Sequence, residues 1–282
     1  MSNIILEENS SIICRNSKGV PYISFKQLEQ LGIVSQGFST KEGGISSGKY
    51  ESMNLRLSSN DKREDVETNF KIMTDALGMD WEKMVFSNQT HTTNIHEVKE
   101  EDIGKGLKKK SDLENIDGLI TNIPNVPLAT FYADCVPLYF VDPVKKAIGL
   151  SHSGWRGTVG KIARRTVEKM QEAYGSNPKD IIACVGPSIC GSCYEVGENI
   201  ADIIYLIFPR HLWGKIIKMK KNKKYELNLW EANKQILLEA GLLEKNISIA
   251  NLCTMCNNDF LYSHRVEGED RGGLAAFLML KE

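Results

Sequence analysis

The 282-residue sequence lacks several features that would assign it to a special class of protein. It contains no run of about eighteen consecutive apolar residues, which excludes an ordinary membrane-spanning helix. Its formal net charge is -1, so the chain as a whole has no electrostatic attraction for nucleic acid or an anionic membrane. Residues 1–11 lack a basic segment followed by an apolar stretch, so we expect no secretory signal and a cytoplasmic protein.

Histidine is scarce, and cysteine occurs in an odd number. There are 5 histidines and no His-x-His pair, which argues against the several copper sites of a laccase. An odd number of cysteines in a chain without a signal argues against a disulfide framework, so each cysteine is a core residue, a ligand or a nucleophile. The 7 cysteines are Cys14, Cys135, Cys184, Cys190, Cys193, Cys253 and Cys256.

The remaining composition is that of an ordinary globular protein, with 41% apolar and 25% charged residues. Helical spacing of apolar residues, ended by a glycine, predicts helices up to Gly78, up to Gly175 and from Asn228 to Gly241. A short strand is expected to begin at residue 85. Other apolar runs predict strands at residues 33–38, 128–132, 136–141, 147–150, 181–185, 247–252 and 274–280. We therefore predict a single mixed α/β domain that covers residues 1–282.

Polar residues interrupt two neighbouring apolar segments near the middle of the chain. Residues 131–137 carry Asp134 and Cys135, and residues 151–157 carry His152. A thiol and an imidazole, each at the end of a predicted strand, are the groups that a transition-metal site or a thiol nucleophile requires. His91 occupies a similar position after the short strand at residue 85. His91, Cys135 and His152 are thus candidate ligands of one zinc or copper ion with a fourth position open.

Two C-x-x-C pairs occur in the second half of the chain, Cys190–Cys193 and Cys253–Cys256. Two such pairs can bind a structural zinc. The gap of about sixty residues between them is longer than the usual spacing of a zinc ribbon. The flanking residues are more typical of a turn at the rim of an active site. The sequence therefore disfavours both a shared zinc and a redox pair.

The motifs together resemble those of the YfiH/YlmD family, long labelled multicopper polyphenol oxidase or laccase-domain proteins. They occur in the order of the family and span nearly the whole chain. The matching segments are residues 38–46, 54–55, 89–91, 117–118, 133–137, 152–157, 186–189, 193–196 and 260–265.

The resemblance implies a four-layer α/β/β/α architecture and a zinc-dependent purine nucleoside phosphorylase. The expected substrates are inorganic phosphate with adenosine, inosine or methylthioadenosine, and adenosine deaminase activity is also implied. The metal ligands of the family correspond to His91, Cys135 and His152. Cu²⁺ is the alternative metal, and a homodimer is compatible with the family.

The resemblance also assigns roles to other side chains. The residues expected to act in catalysis are Cys135, His152, Arg156 and His264. The residues expected to bind substrate or phosphate are Lys41, Gln89, Asp134 and Arg265. The chain departs from the family pattern at three positions near the expected anion site, which are Lys41, Val266 and Gly273.

Other functions remain open at this point. Cys135 as thiolate and His152 as base would make a cysteine hydrolase or deamidase without a metal. Copper-dependent oxidation of phenols is a second alternative, and a binding protein without catalytic activity is a third. Peptidoglycan-precursor editing has also been attributed to one family member.

Overall fold

The computed structural model describes residues 10–282, and two β-sheets form its centre. The first sheet is antiparallel, with strand order β1-β2-β3-β14-β6. Its strands are β1 (Ile12–Ser17), β2 (Val20–Phe25), β3 (Val34–Ser39), β6 (Leu128–Tyr132) and β14 (Leu274–Leu280).

The second sheet is mixed, with strand order β13-β9-β7-β8-β5-β4. The outer pairs β13/β9 and β4/β5 are parallel, and the inner pairs are antiparallel. Its strands are β4 (Ile95–Glu97), β5 (Gly118–Thr121), β7 (Val136–Asp142), β8 (Ala147–Ser153), β9 (Ile182–Val185) and β13 (Ile247–Ile249).

Helices cover the outer faces of the two sheets, and a small three-stranded sheet lies to one side. The helices are α1 (Lys26–Gln30), α2 (Arg63–Ala76), α3 (Trp155–Val159), α4 (Ile162–Tyr174), α5 (Glu198–Ile207), α6 (Trp213–Ile216), α7 (Leu229–Glu239) and α8 (His264–Glu267). The small sheet contains β10 (Glu195–Val196), β11 (Ile217–Met219) and β12 (Tyr225–Leu227).

The alternation of side chains along β14 explains how the layers stack. Leu274, Ala276 and Leu278 face the second sheet in one apolar cluster. Ala275 and Phe277 face the opposite way and pack in a cluster with α2. The outer face of the second sheet packs on α4 and α7 in a third cluster. Because a strand turns successive side chains to opposite faces, one buried strand joins two layers. The layers are helix, sheet, sheet and helices, and the mixed α/β fold is confirmed.

The predicted strands and helices agree with the structure in most places. Residues 85–88 are an exception, since Val85 and Asn88 form only isolated bridges. The helix near Gly175 is interrupted at Lys161, whose φ of 59° is left-handed and separates α3 from α4. None of the helices in the described part of the chain is long and apolar enough to span a bilayer.

Candidate metal centre

The ends of three segments bring His91, Cys135 and His152 together. Cys135 lies in the turn between β6 and β7, and His152 lies near the end of β8. The antiparallel register of β7 and β8 pairs Pro137 with His152, which places the turn beside the imidazole. His91 comes from the loop that follows residue 88. Its φ of 63° is left-handed, a conformation that non-glycine residues rarely adopt outside constrained sites.

The donor atoms of these three residues are close enough to share one ion. One ligand atom from each side chain lies within 4.8 Å of the others. Nε2 of His91 is 3.9 Å from Sγ of Cys135. The two imidazole rings are 4.9 Å apart and nearly perpendicular, at 80°. Within residues 10–282 the cluster contains no fourth protein ligand. Two imidazoles and a thiolate that leave one position open are the donor set of a catalytic zinc site.

A buried carboxylate, Asp117, fixes two of the three donors. Its Oδ1 accepts a hydrogen bond of 2.8 Å from Nδ1 of His152 and one of 3.0 Å from the backbone N–H of His91. Its Oδ2 accepts from the backbone N–H of Thr92 at 2.7 Å. Burial would raise the pKa of Asp117, but the hydrogen bond and charge of His152 and the bonds from Thr92 lower it to about 2. The carboxylate therefore stays ionised and holds Nε2 of His152 free to bind a metal.

The charges of Cys135 and His152 stabilise each other. Burial would raise the pKa of Cys135, but the His152 charge and hydrogen bonds from His152 and His91 lower it to about 6. Burial would lower the pKa of His152, but the Cys135 thiolate and Asp117 raise it to about 9. The pocket thus favours a thiolate beside a positive charge, which is the electrostatic environment of a metal-bound cysteine.

Gly154 provides the space in which these donors meet. A Cβ atom at this position would lie 2.9 Å from Cδ2 of His91 and 3.0 Å from Sγ of Cys135. Both distances are too short for ordinary van der Waals contact, so a larger residue would displace the donors. The φ of Gly154 is -73°, a value that any residue can adopt. The lack of space for a side chain therefore requires the glycine, and the backbone conformation does not.

The three donors line a cavity of about 590 Å³, which is large enough for a small organic molecule. Phe86 and Phe131 contribute aromatic surface to its wall, with ring centroids 5.1 Å apart. Arg56, Arg271 and His264 also line it. The cavity therefore combines a donor cluster, an apolar wall and cationic groups.

The two arginines of the cavity interact with each other, and one of them has an unsatisfied hydrogen-bond donor. Burial, followed by repulsion from Arg56, lowers the pKa of Arg271. Arg271 donates to the backbone oxygen of Gly268 at 3.1 Å, but its buried Nε has no hydrogen-bond partner among residues 10–282. An anion bound here would offset the repulsion between the two positive charges and accept a hydrogen bond from the unsatisfied donor.

The structure places two more of the predicted site residues at this cavity, one expected to act in catalysis and one expected to bind substrate. His264 lines it, and Nδ1 of its ring lies 3.2 Å from the backbone oxygen of Gly268. Gln89 also lines it, but its amide is bonded to the backbone of Phe131. Nε2 of Gln89 donates to the oxygen of Phe131 at 3.1 Å, and Oε1 accepts from its N–H at 2.7 Å. Gln89 therefore holds an aromatic residue of the wall.

Four other predicted residues do not line the cavity. Asp134 is buried, with Oδ1 bonded to Thr254 at 2.6 Å and Oδ2 bonded to the backbone N–H of Arg265 at 2.7 Å. The Arg265 guanidinium lies over the ring of Tyr194, and that of Arg156 lies over Trp155. Lys41 forms an ion pair with Glu267.

The sequence interpretation missed Arg56 as a cavity residue and gave no role to Asp117. Arg56 directly follows the motif at residues 54–55, and Asp117 begins the motif at residues 117–118. Arg271 stands two residues before the departure at Gly273, and a Cβ at Gly273 would lie 2.7 Å from Cβ of Arg56. For Arg56 and Asp117, the available signal was a position directly after or within a recognised motif.

Comparison with known proteins identifies the family. The profile described as "Multi-copper polyphenol oxidoreductase laccase" matches residues 35–281, which is most of the chain. The chain belongs to this family. The description refers to the family as a whole, and the extent of the domain over residues 1–282 stays a prediction.

Relatives in this family confirm the resemblance to YfiH and YlmD. Purine nucleoside phosphorylase YlmD of Bacillus subtilis is 40% identical over 250 residues, which cover 88% of this chain and 89% of that protein. The crystal structure of YlmD from Geobacillus stearothermophilus has a TM-score of 0.90 at 32% identity and covers 97% of this chain and 100% of that one. The crystal structure of the hypothetical protein YfiH of Bacillus licheniformis has a TM-score of 0.88 at 36% identity, with 95% and 99% coverage.

Proposed function

We propose that this protein is a zinc-dependent purine nucleoside phosphorylase whose metal is held by His91, Cys135 and His152. The observation that carries the proposal is the convergence of these three donors at one cavity with Arg56 and Arg271. Relatives named purine nucleoside phosphorylase, at 40% and 35% identity, support the reaction class.

The donor set suits zinc, because thiolate and imidazole are its usual protein ligands. Asp117 supports this assignment, since a metal-binding histidine usually donates its second ring N–H to a carboxylate. When bound, zinc supplies Lewis-acid chemistry at the open side of the three donors. Cu²⁺ accepts similar ligands. However, the other cluster of metal-binding residue types in residues 10–282 contains only cysteine, so several histidine-bound copper ions are not supported.

The cationic residues of the cavity would bind phosphate. Arg56 and Arg271 supply guanidinium groups for its oxygens, and His264 lines the same cavity. Bound in this way, phosphate attacks C1′ of the ribose, the bond from C1′ to the purine nitrogen breaks, and its electron pair leaves with the base. The base takes up a proton, and the products are ribose 1-phosphate and free purine. Holding the anion against C1′ supplies much of the catalysis by orientation.

The apolar wall of the cavity would bind the purine. Phe86 and Phe131 provide flat aromatic surface, and Gln89 fixes the backbone of Phe131. The preferred nucleosides would be adenosine, inosine and methylthioadenosine. Replacement of the adenine C6 amine by water, which yields inosine and ammonia, belongs to the same proposal. The cytoplasmic location and the homodimer remain predictions.

Product analysis tests the proposed function. Zinc-loaded protein is incubated with adenosine or inosine, with and without inorganic phosphate, and the products are separated by chromatography. We expect adenine or hypoxanthine only when phosphate is present, and inosine from adenosine in both conditions. Absence of any free base in the presence of phosphate would contradict the phosphorylase assignment.

The lowered pKa of Cys135 beside His152 favours one second candidate, a cysteine hydrolase or deamidase. This mechanism uses Cys135 and His152 but has no role for His91 as a ligand. Activity that resists chelators and survives His91→Ala, but is lost after alkylation of Cys135, would support it. Loss of activity on chelation, with recovery on adding zinc, would support the metal mechanism instead.

A further inference from the structure

The fold brings the two C-x-x-C pairs to the same edge of the second sheet. Cys190 and Cys193 lie in the turn after β9, and Cys253 and Cys256 lie in the turn after β13. β9 and β13 are parallel neighbours, so their carboxyl ends lead to adjacent turns. An additional bridge between Ser188 and Cys253 continues this pairing beyond the strands. The pairing of the two strands therefore brings the two C-x-x-C pairs together, although they are about sixty residues apart in sequence.

The four thiols have the spacing of ligands to a single ion. All four Sγ atoms lie within 4.8 Å of one another, and those of Cys193 and Cys256 are 3.4 Å apart. In a tetrahedral site with Zn–S bonds of about 2.3 Å, the sulfurs are separated by about 3.8 Å. A four-iron cluster would need its cysteines spread around a larger inorganic core. The compact arrangement therefore favours one metal ion.

Backbone groups around Cys253 support a thiolate ligand. The N–H of Cys190 donates to its sulfur at 3.2 Å, and the N–H of Cys256 donates to it at 3.4 Å. Cys253 is buried, with 6% of its surface exposed. Hydrogen bonds from the chain to a buried sulfur stabilise negative charge on it, as is usual around metal-bound thiolates.

We propose that Cys190, Cys193, Cys253 and Cys256 bind a structural Zn²⁺ ion, with release of the protons of their thiols. Four cysteines leave no open coordination position, which distinguishes this site from the His91, Cys135 and His152 cluster. The proposal does not depend on the reaction that the protein catalyses.

The zinc would stabilise the turns that support the cavity. Thr254, between the cysteines of the second pair, donates to Oδ1 of Asp134 at 2.6 Å. Ile189, just before the first pair, donates its N–H to the backbone oxygen of Asp134 at 3.1 Å. Asp134 precedes Cys135 and has a left-handed φ of 81°. A zinc ion bound by the four cysteines would thus keep both turns in contact with Asp134, the residue that precedes Cys135 in its turn.

Metal analysis of a variant that lacks the other cluster tests the proposal. The double variant His91→Ala/His152→Ala, purified with zinc, is expected to keep one zinc per chain. Its X-ray absorption spectrum at the zinc edge should show only sulfur neighbours, at about 2.3 Å. Cys193→Ser/Cys256→Ser is expected to lose that ion and to unfold at a lower temperature. Cys14→Ser, which changes an exposed cysteine on β1, should keep it.

Three results would overturn the proposal. The first is a His91→Ala/His152→Ala protein that folds but holds no zinc. The second is nitrogen or oxygen in the coordination shell of the remaining ion. The third is a disulfide between Cys193 and Cys256, or the absorption of an iron–sulfur cluster, in freshly purified wild-type protein. Failure of phosphorolysis would leave all these measurements valid, so the two proposals are tested separately.

Discussion

The Asp117 carboxylate contacts both histidines of the candidate metal centre, one through its ring and the other through its backbone. It lies 2.8 Å from Nδ1 of His152 and 3.0 Å from the amide nitrogen of His91. Asp117 directly precedes β5, which pairs with β8, the strand that carries His152. The sheet thus fixes the position of His152. Asp117, at the start of a neighbouring strand, holds the loop that carries His91 in place beside it.

Asp117→Asn is expected to weaken zinc binding at this centre by about 10–100-fold. The amide nitrogen of asparagine cannot accept the hydrogen bonds that one carboxylate oxygen now receives, so His152 and the loop at His91 lose their fixed orientation. Competition with a chromogenic chelator measures the affinity. Glu172→Gln, an exposed change on α4, serves as control. An unchanged affinity in Asp117→Asn would contradict this role.

Gly154→Ala is expected to reduce zinc affinity while the protein remains folded. The added methyl group would lie 2.9 Å from His91 and 3.0 Å from Cys135, so the donors must separate. Gly214→Ala is a matched control, because a Cβ there meets no atom of the described residues within 4 Å. Zinc titration and circular dichroism of both variants test this expectation. Equal zinc affinities in the two variants would contradict the prediction that zinc binding requires the space at Gly154.

Arg271→Gln is expected to raise KM for phosphate roughly 10–100-fold, as for loss of a charged hydrogen bond of about 1.5–3 kcal/mol. KM for the nucleoside should change little, because the apolar wall remains intact. Steady-state kinetics with each substrate varied in turn separates the two effects. Arg63→Gln, on the exposed side of α2, is the control. An equal rise of both KM values would argue against a phosphate site at Arg271.

Asp102→Asn is expected to lower the free energy of unfolding by about 1–3 kcal/mol at neutral pH. Asp102 is 4% exposed and accepts from the N–H of Lys99 at 3.0 Å, from Nε2 of His96 at 2.8 Å and from Nζ of Lys105 at 2.9 Å. Burial would raise the pKa of Asp102, but these bonds lower it to about 2.

The stabilisation by Asp102 should depend on pH in a defined direction. Its pKa in the folded state is below its unfolded value of about 3.9, so the contribution is complete above that value and is lost as pH falls toward about 2. Urea unfolding of wild type and Asp102→Asn between neutral pH and the acid limit of folding measures it. Asp75→Asn, whose side chain is 65% exposed, should show no such difference. A difference that grows on acidification would contradict the assignment.

Two of the candidate metal ligands were predictable because each interrupts an apolar run beside a strand end. Cys135 directly precedes β7 and His152 lies near the end of β8, so their proximity follows from the pairing of two consecutive strands. His91 was harder to place, since residues 85–88 form bridges and not a strand. Its position depends on Asp117, whose hydrogen bonds leave no periodic pattern in the sequence.

The rest of the site depends on contacts between distant loops. Arg56 and Arg271 lie far apart in sequence in segments without apolar periodicity, so nothing local indicates that they share a cavity. The spacing of the two C-x-x-C pairs in sequence disfavours one shared zinc, yet parallel pairing of β9 and β13 brings the pairs together. Each pair follows a predicted strand, and that shared position was the signal of a common sheet edge.

The central claim is that a metal held by His91, Cys135 and His152 is required for phosphorolysis. Its most direct test is to measure zinc content and phosphate-dependent cleavage of inosine in one preparation of His91→Ala, beside His211→Ala, an exposed histidine away from the cavity. We expect His91→Ala to lose one zinc per chain and about a hundredfold or more in rate, and His211→Ala to retain both. A His91→Ala protein that lacks this zinc but cleaves inosine at the wild-type rate would contradict the account.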